Sequence, residues 1–265
     1  MSEVLDELAQ GVGKAIETVP TVYDDALKPT TQESGKILAL IPRTINAALV
    51  PLRQWIANRE YNLAETEKLL AKKLEHVSED KIVTPEPYTA VPAIQALSYS
   101  MNSEELRNLY ANLLAKAMNS DTKDMVHPAY VSIITQMTPL DAQVLQFLLN
   151  QPDQDMPLID LVASRKLQGN IISYVPLQTN ITSISFSTVE AISLSLDNLS
   201  RNNLIHISDQ ENTDGYNSIL VSEHYKKLYK KHERNLPKIY PDLSIMKKNC
   251  TLSALGKSFC DICVS

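Results

Sequence analysis

The sequence MNSEELRNLYANLLAKAMNSDTKDMVHPAYVSII, residues 101–134, contains the pattern that decides the fold. Its first apolar residues recur every three or four positions, which is the spacing of one face of an α-helix. These residues are Leu106, Leu109, Tyr110, Leu113, Leu114 and Ala117. Asn102 and Ser103 can both cap the start of such a helix, and Glu105, three positions after Asn102, matches a capping box. The pattern therefore predicts an amphipathic helix whose apolar stripe faces a core.

A second apolar segment follows directly in the same stretch. Residues 119–121 carry Asn, Ser and Asp side chains, which compete for backbone hydrogen bonds and favour the end of a helix. His127 and Pro128 then open the apolar segment 129–137, because proline is tolerated in the first turn of a helix. The two segments predict a helical hairpin, and neither contains a recognisable catalytic pattern.

Three short motifs lie in this hairpin: EELR at 104–107, YANLLA at 110–115 and VHPAYV at 126–131. Further matching positions are Gly35 with Lys36, Pro51 with Leu52, and residues 252–264. Together they resemble the abortive-infection alpha family of bacterial proteins over most of the chain. The resemblance implies a role in phage defence. It supplies no catalytic residues, and it leaves the roles of the motif residues His127, Pro128 and Tyr130 open.

Length and charge limit the classes of protein to consider. The chain has 265 residues, of which 44% are hydrophobic, so it can bury a sizeable core in one large or two small domains. The net charge of -6 disfavours a protein that coats nucleic acid nonspecifically. The sequence shows no basic, apolar leader typical of secretion, and we therefore expect a cytoplasmic protein.

The most apolar run covers residues 37–57 and approaches the length of a membrane span. Pro42, Arg43, Pro51 and Arg53 interrupt it, and charges near the centre of a bilayer are costly. We interpret the run as two short buried helices. A membrane-acting effector that uses this run remains an alternative.

The sequence pattern changes at Thr138, from successive helical stripes to a mixture of helical and strand-like segments. Thr138 and Pro139 start a helix, 157–167 is interpreted as a second helix, and 168–185 as a loop or short strand. A third helix follows a capping box in SerThrValGlu at 187–190. Two short apolar runs, Leu204 to Ile207 and Ser218 to Val221, then predict a paired ribbon. Three helices before a ribbon are typical of a winged helix.

We therefore predict a mostly α fold with two domains. Residues 1–137 form an N-terminal helical bundle, and residues 138–265 form a winged-helix-like α+β unit with a small β-ribbon. In this scheme the third helix would enter the major groove of DNA and contact phosphates through basic residues. Its polar positions, however, are mostly acidic or neutral. They are Glu190, Ser193, Ser195, Asp197 and Asn198, with Arg201 as the basic residue near the end. This composition argues against the usual reading of bases.

Basic residues instead concentrate in a later helix, where tyrosines lie between them. They are Lys226, Lys227, Lys230, Lys231 and Arg234. Such a helix is either a solvated surface or a contact for an anion or a partner. A DNA-binding regulator would need Arg201 and the lysines of this helix on one surface. We expect a protein partner or self-association instead, with nucleic acid disfavoured by the acidic net charge.

The three cysteines raise the question of zinc. Cys260 and Cys263 have a C-x-x-C spacing, and Cys250, His206 or His224 would have to complete a four-ligand site. The apolar stripe around the cysteines instead favours buried thiols that act as small hydrophobic residues. The five histidines form no clustered metal motif, and phosphate loops and nucleophile turns are absent from the sequence. We expect no metal, no cofactor and no enzymatic activity, but a phage-defence protein that acts by macromolecular binding.

Overall fold

A computed structural model of the chain describes residues 69–100, 102–209 and 215–264. The apolar segment 37–57, and every other prediction for residues 1–68, lies outside these ranges. The described chain forms two compact units. One contains the described residues up to Asn102 together with Tyr110–Val131, and the other contains Ser103–Leu109 and the residues from Ser132 onward.

Within the described residues before Met137, every regular element of several residues is helical. Residues 69–74 are helical, and the later elements are a 3-10 turn Glu79–Lys81, α1 Pro87–Tyr99, α2 Glu104–Ala117, a 3-10 turn Lys123–Met125 and α3 Ala129–Thr135. The predicted stripe on α2 is confirmed, because Leu113 and Leu114 are completely buried and Tyr110 is 1% exposed. Leu106, at the first turn, is only half-buried.

The rest of the chain mixes helices with one sheet. The elements are α4 Pro139–Leu149, β1 Asp155–Leu167, β2 Asn170–Ile181, α5 Val189–Arg201, β3 Ile205–Ser208, α6 Tyr216–Leu220, α7 Glu223–Glu233, β4 Asp242–Leu252, α8 Ala254–Phe259 and a final π-helical turn Cys260–Val264. The four strands form an antiparallel sheet in the order β2-β1-β4-β3. The fold is therefore α+β, with helices in the majority.

Helix α4 begins as the sequence predicts. The Thr138 side chain accepts a hydrogen bond from the backbone N–H of Asp141 at 3.2 Å, and the Asp141 carboxylate accepts one from the backbone N–H of Thr138 at 2.6 Å. Pro139 follows in the first helical position, where a missing N–H leaves no hydrogen bond unmade. This reciprocal cap determines where α4 begins, and α4 is followed by the strands of the sheet.

The predicted helix 157–167 is wrong, because this segment lies in β1. This strand lies between β2 and β4, and seven consecutive residues from Leu158 to Ser164 are buried. One face of the sheet packs against α6 and α7 through residues such as Ile159 and Leu161. A strand covered on both faces loses the alternation of apolar and polar residues, so its pattern resembles that of a buried helix.

The winged-helix-like arrangement is not confirmed. Leu204 to Ile207 does contain a strand, β3, but its partner is β4 rather than 218–221. Residues 218–220 belong to the short helix α6, because Tyr216 and Ile219, three positions apart, both bury their side chains in the core beneath the sheet. The segment 168–185, predicted as a loop or short strand, contains the twelve-residue strand β2.

Helix α5 is confirmed, but its polar face is not the exposed one that the sequence indicated. Ser193 and Ser195 are 6% and 3% exposed, and the Ser193 hydroxyl lies 3.2 Å from that of Thr179 in β2. The helix cap is Thr188, whose side chain accepts from the backbone N–H of Ala191. Small hydroxyl residues let this face of α5 lie against the sheet, so they are packing residues rather than groups that face a ligand.

Candidate functional site

All five predicted basic residues are exposed on or directly after one helix. Lys226, Lys227, Lys230 and Lys231 lie in α7, and Arg234 is its C-terminal cap residue. A helix turns by about 100° per residue, so the five side chains occupy an arc of roughly 140°. We call these five residues the basic face. Its opposite side is the side that the sheet covers.

The sequence of α7 explains why the cations face outward. Tyr225 and Leu228 are 9% and 8% exposed, and both join the cluster that contains Ile159 and Leu161 of β1. The Ser222 side chain caps the helix by accepting a hydrogen bond from the backbone N–H of Tyr225 at 3.2 Å. Apolar anchors on one side therefore fix the rotation of the helix and direct the ammonium groups to solvent.

An open groove of about 550 Å³ runs beside the basic face. One wall is formed by residues 185–190, where α5 begins, and the other by His224, Lys227, Leu228 and Lys231 of α7. Phe186 is 50% exposed and contacts the Phe147 ring edge-on, with 6.3 Å between ring centroids. The groove thus combines apolar surface with two ammonium groups from α7 and one carboxylate, that of Glu190.

The charges around α7 are only partly neutralised within the described residues. Lys226 pairs with Glu223 at 3.0 Å, whereas no ion pair is found there for the other four cations of the basic face. The hydrogen bond from Lys226 lowers the pKa of Glu223, and the charges of Lys227 and Lys230 act in the same direction. Burial lowers the pKa of His232, with Lys231 adding to the effect, so this histidine contributes little positive charge near neutral pH.

The motif around His127 has a structural explanation. The His127 Nδ1 accepts a hydrogen bond from the backbone N–H of Ala129 at 3.1 Å, which caps the start of α3. The rings of His127 and Tyr130 are 6.1 Å apart, and Tyr130 is buried while His127 and Pro128 are exposed. The arrangement supports the interpretation of His127 as a hydrogen-bonded structural residue.

The cysteines are confirmed as buried thiols. Burial raises the pKa of Cys250 and of Cys260 to about 12 and that of Cys263 well above its ordinary value. Thiolates, rather than thiols, bind zinc and attack electrophiles, so these side chains are poorly suited to either task. In the part of the chain that the structure describes, no group of three or more His, Cys, Asp or Glu side chains is placed to hold a metal ion.

The sequence located the basic face but missed the groove. Phe186 and Glu190 fall between a segment interpreted as a loop and the first turn of a helix, and nothing in their spacing links them to α7. The sequence offers no signal that Phe186, one of 3 phenylalanines, would be exposed in a groove. None of the helices in the described ranges is both long enough and apolar enough to cross a bilayer.

Comparison with other proteins adds one family match. A family model described as abortive infection alpha matches residues 58–263. No curated protein matches the sequence. The solved structure of an uncharacterized protein from the hydrocarbon-degrading marine bacterium Alcanivorax borkumensis SK2 is 18% identical and covers 55% of this chain and 96% of its own chain, with a TM-score of 0.32. A TM-score this low supports no conclusion about fold or function.

Proposed function

Since this chain belongs to the abortive infection alpha family, we propose that it limits phage infection by binding an acidic segment of a protein partner along α7. The observation that carries this proposal is the basic face beside the groove. Four of its cations have no ion-pair partner among the described residues, and apolar side chains lie next to two of them.

A protein segment fits this surface better than a bare phosphate backbone. Phe186, Val189 and Leu228 offer apolar contact in the groove, and Lys227 and Lys231 line its α7 wall. Amphipathic peptide segments are recognised by such a combination of apolar anchors and complementary charge. Glu190 on the opposite wall would repel a continuous run of phosphates, whereas a peptide can place a neutral or basic residue there.

The DNA-binding alternative draws less support from α5. Ser193 and Ser195 of this helix are buried, and the guanidinium of Arg201 donates a hydrogen bond to Asn198 at 2.7 Å. Two polar side chains of α5 are therefore unavailable to contact base edges, which a sequence-reading helix must do.

A phage challenge with charge-reversal variants tests the proposal. We expect cells that express the wild type to form fewer plaques than cells without the protein, and we expect Lys227→Glu with Lys231→Glu to remove that protection. Lys238→Glu with Lys257→Glu makes the same change of net charge at exposed positions of the same unit and should leave protection intact. Equal loss of protection in both double variants would contradict a specific role for α7.

Binding assays on purified protein separate the classes of partner. Poly-glutamate is the probe for an acidic protein segment, and its binding should weaken with salt and with the Lys227 and Lys231 reversals. A DNA duplex in a gel-shift assay and anionic vesicles in a leakage assay are the competing probes. Salt-sensitive DNA binding without poly-glutamate binding would favour a regulator, and vesicle leakage would favour a membrane-acting effector.

A further inference from the structure

We propose that the chain docks on an anionic lipid surface through the end of the hairpin that β1 and β2 form. This end, residues 165–173, is called the hairpin tip; it shares no residue with the groove, so the inference holds or fails independently of the proposed function. Pairing between β1 and β4 ends at Ser164 and Asp242, whereas β1 and β2 stay paired up to Leu167 and Asn170. The hairpin tip therefore projects beyond β4 as a two-stranded element.

Aliphatic side chains are exposed around the hairpin tip. Every residue from Arg165 to Ile172 is exposed, and the exposed fractions are 62% for Leu167, 37% for Ile171 and 54% for Ile172. Glutamine, glycine and asparagine at 168–170 form the turn, so the outermost residues are uncharged. Aliphatic side chains that gather at one projecting end indicate a contact surface rather than isolated surface residues.

Each face of the hairpin tip combines a cation with an aliphatic side chain. Successive residues of a strand point to opposite faces, so Arg165 and Leu167 share one face and Lys166 lies on the other. Ile171 is the strand partner of Lys166 and therefore shares its face. A flat protein surface would cover only one of these faces, whereas a lipid interface surrounds an inserted tip on both. The distribution therefore favours lipid over a protein partner.

The charge of the hairpin tip selects anionic lipid. Arg165 and Lys166 form no ion pair with a described residue, and the sequence contains no Asp or Glu at 161–189. Asp160, the preceding acidic residue on β1, is already paired with Lys248. Basic residues beside an amphipathic element attract negative headgroups. The net charge of -6 belongs to the whole chain, and exposed charges more than about 10 Å away are largely screened at about 0.1 M salt.

The dimensions of the hairpin tip fit insertion to interfacial depth. A strand advances about 3.3 Å per residue, so Arg165 to Gln168 spans roughly 10 Å. Interfacial elements bury their apolar surface about 5–10 Å into the boundary between headgroups and acyl chains. At this depth the cation of Arg165 lies among the headgroups while Leu167 reaches the acyl boundary. The amide side chains of the turn limit insertion to the interface, because burying them in hydrocarbon without hydrogen bonds is costly.

The first test is flotation of the purified full chain with vesicles. We expect the wild type to float with mixed phosphatidylcholine and phosphatidylglycerol vesicles, but not with pure phosphatidylcholine. Arg165→Gln with Lys166→Gln should weaken binding roughly 25-fold, because each cation near an anionic surface contributes about a fivefold factor. Lys238→Gln with Lys257→Gln is the matched control at exposed positions and should float like the wild type. A wild type that does not float with anionic vesicles would overturn the proposal.

Two further variants separate this surface from the basic face. Leu167→Ser with Ile171→Ser keeps both cations of the hairpin tip but removes apolar contact, so it should also weaken flotation. Lys227→Glu with Lys231→Glu should float like the wild type even where phage protection is lost. Flotation that is lost in the Lys227 and Lys231 variant but retained in the variants of the hairpin tip would overturn the proposal.

A fluorescence test locates the contact without removing any group that makes it. An environment-sensitive dye on Asn170→Cys should brighten and shift to the blue with anionic vesicles. The native cysteines are buried and their thiol pKa values are raised, so the dye stays on the introduced residue. Leu194→Cys is the control: it is on α5, where Ser193 lies 3.2 Å from Thr179, near the opposite end of β2.

The dye on Leu194→Cys should not respond to vesicles. Vesicle binding that leaves the emission from Asn170→Cys unchanged would overturn the proposal, because another surface would then carry the contact. A response of the Asn170→Cys dye to a DNA duplex but not to anionic vesicles would also overturn it and would assign the hairpin tip to nucleic acid.

Discussion

The ammonium group of Lys248 lies 2.6 Å from the Oδ2 atom of Asp160 inside the sheet. The side chains of the two residues are 20% and 7% exposed. Asp160 also accepts the backbone N–H of Asn180 at 2.9 Å, where the register between β1 and β2 shifts. One carboxylate thus links β4 to β1 and satisfies a backbone group that the irregular ladder leaves without a strand partner.

Replacing Lys248 by methionine should destabilise the protein by about 3 kcal/mol, because it leaves the Asp160 carboxylate buried without its counter-charge. A urea titration of wild type and variant measures the change in the free energy of unfolding. Lys226→Met is the control, since it removes a lysine whose ion pair with Glu223 is exposed, and it should change stability little. An Asp160→Asn, Lys248→Met double variant should recover part of the loss. Equal stability of the wild type and the single variant would show that the pair contributes nothing.

Shortening Leu113 should test the core of α2. Leu113 is 0% exposed, so Leu113→Ala should cost about 2–5 kcal/mol through lost apolar contact and the cavity that remains. Leu194→Ala, at an exposed position, should stay within about 0.5 kcal/mol of the wild type. If a urea titration shows that Leu113→Ala changes the free energy of unfolding by less than about 1 kcal/mol, Leu113 does not lie in the core as the apolar stripe predicts.

The elements that bury one face and expose the other could be predicted from the sequence. Helix α2 buries one stripe, and α4 carries its start signal in Thr138, Pro139 and Asp141, so local residues specify both. Strand β1 could not be predicted, because its two faces are buried by different layers and its apolar residues follow no single period. Its assignment depends on neighbours that lie far away in the sequence.

Strand β4 was missed for a related reason. Lys247, Lys248 and Asn249 look like a polar loop, yet each is accommodated by a distant residue. Lys247 lies 5.0 Å from the centre of the Tyr216 ring, Lys248 pairs with Asp160, and Asn249 donates to Asp155. The basic face could be found from sequence because its residues are close neighbours in one helix. The groove beside it could not be found from sequence, because its two walls come from the start of α5 and from α7, which are distant along the chain.

The buried thiols should be unreactive in the folded protein. A thiol reagent applied at about pH 8 should modify few cysteines in the native chain and all 3 after unfolding, because the thiolate is the reactive form and burial disfavours it. Zinc analysis of the purified protein is the complementary measurement. One equivalent of zinc per chain, lost in Cys260→Ser, would contradict the interpretation.

The same thiols predict how stability depends on pH. The pKa values of Cys250 and Cys260 are about 12 in the folded chain, against an ordinary value near 8.5 in the unfolded chain. Above about pH 8.5 the unfolded chain therefore releases protons that the folded chain retains, and the free energy of unfolding should decrease up to about pH 12. Urea titrations across this range should show a smaller decrease for Cys250→Ala than for the wild type, whereas parallel slopes would contradict the assignment.

A close approach between α8 and the backbone of Leu204 predicts a damaging glycine substitution. A Cβ atom on Gly256 would lie 1.9 Å from the carbonyl oxygen of Leu204 and 2.8 Å from its carbonyl carbon. That carbonyl also accepts the backbone N–H of Ser253, at 3.0 Å, so the first turn of α8 cannot move away without losing the hydrogen bond. Gly256→Ala should cost at least about 3 kcal/mol, more than ordinary overpacking, because the clash is with backbone atoms.

Gly169→Ala provides the matched comparison for this substitution. Gly169 has a φ of +84° in the turn between β1 and β2, but a Cβ atom there would meet nothing within 4 Å. Only the cost of a left-handed backbone remains, which is about 1 kcal/mol. Urea titrations of both variants should therefore rank Gly256→Ala well below Gly169→Ala in stability. Equal losses, or a larger loss at Gly169, would mean that α8 is not held against Leu204 as the structure places it.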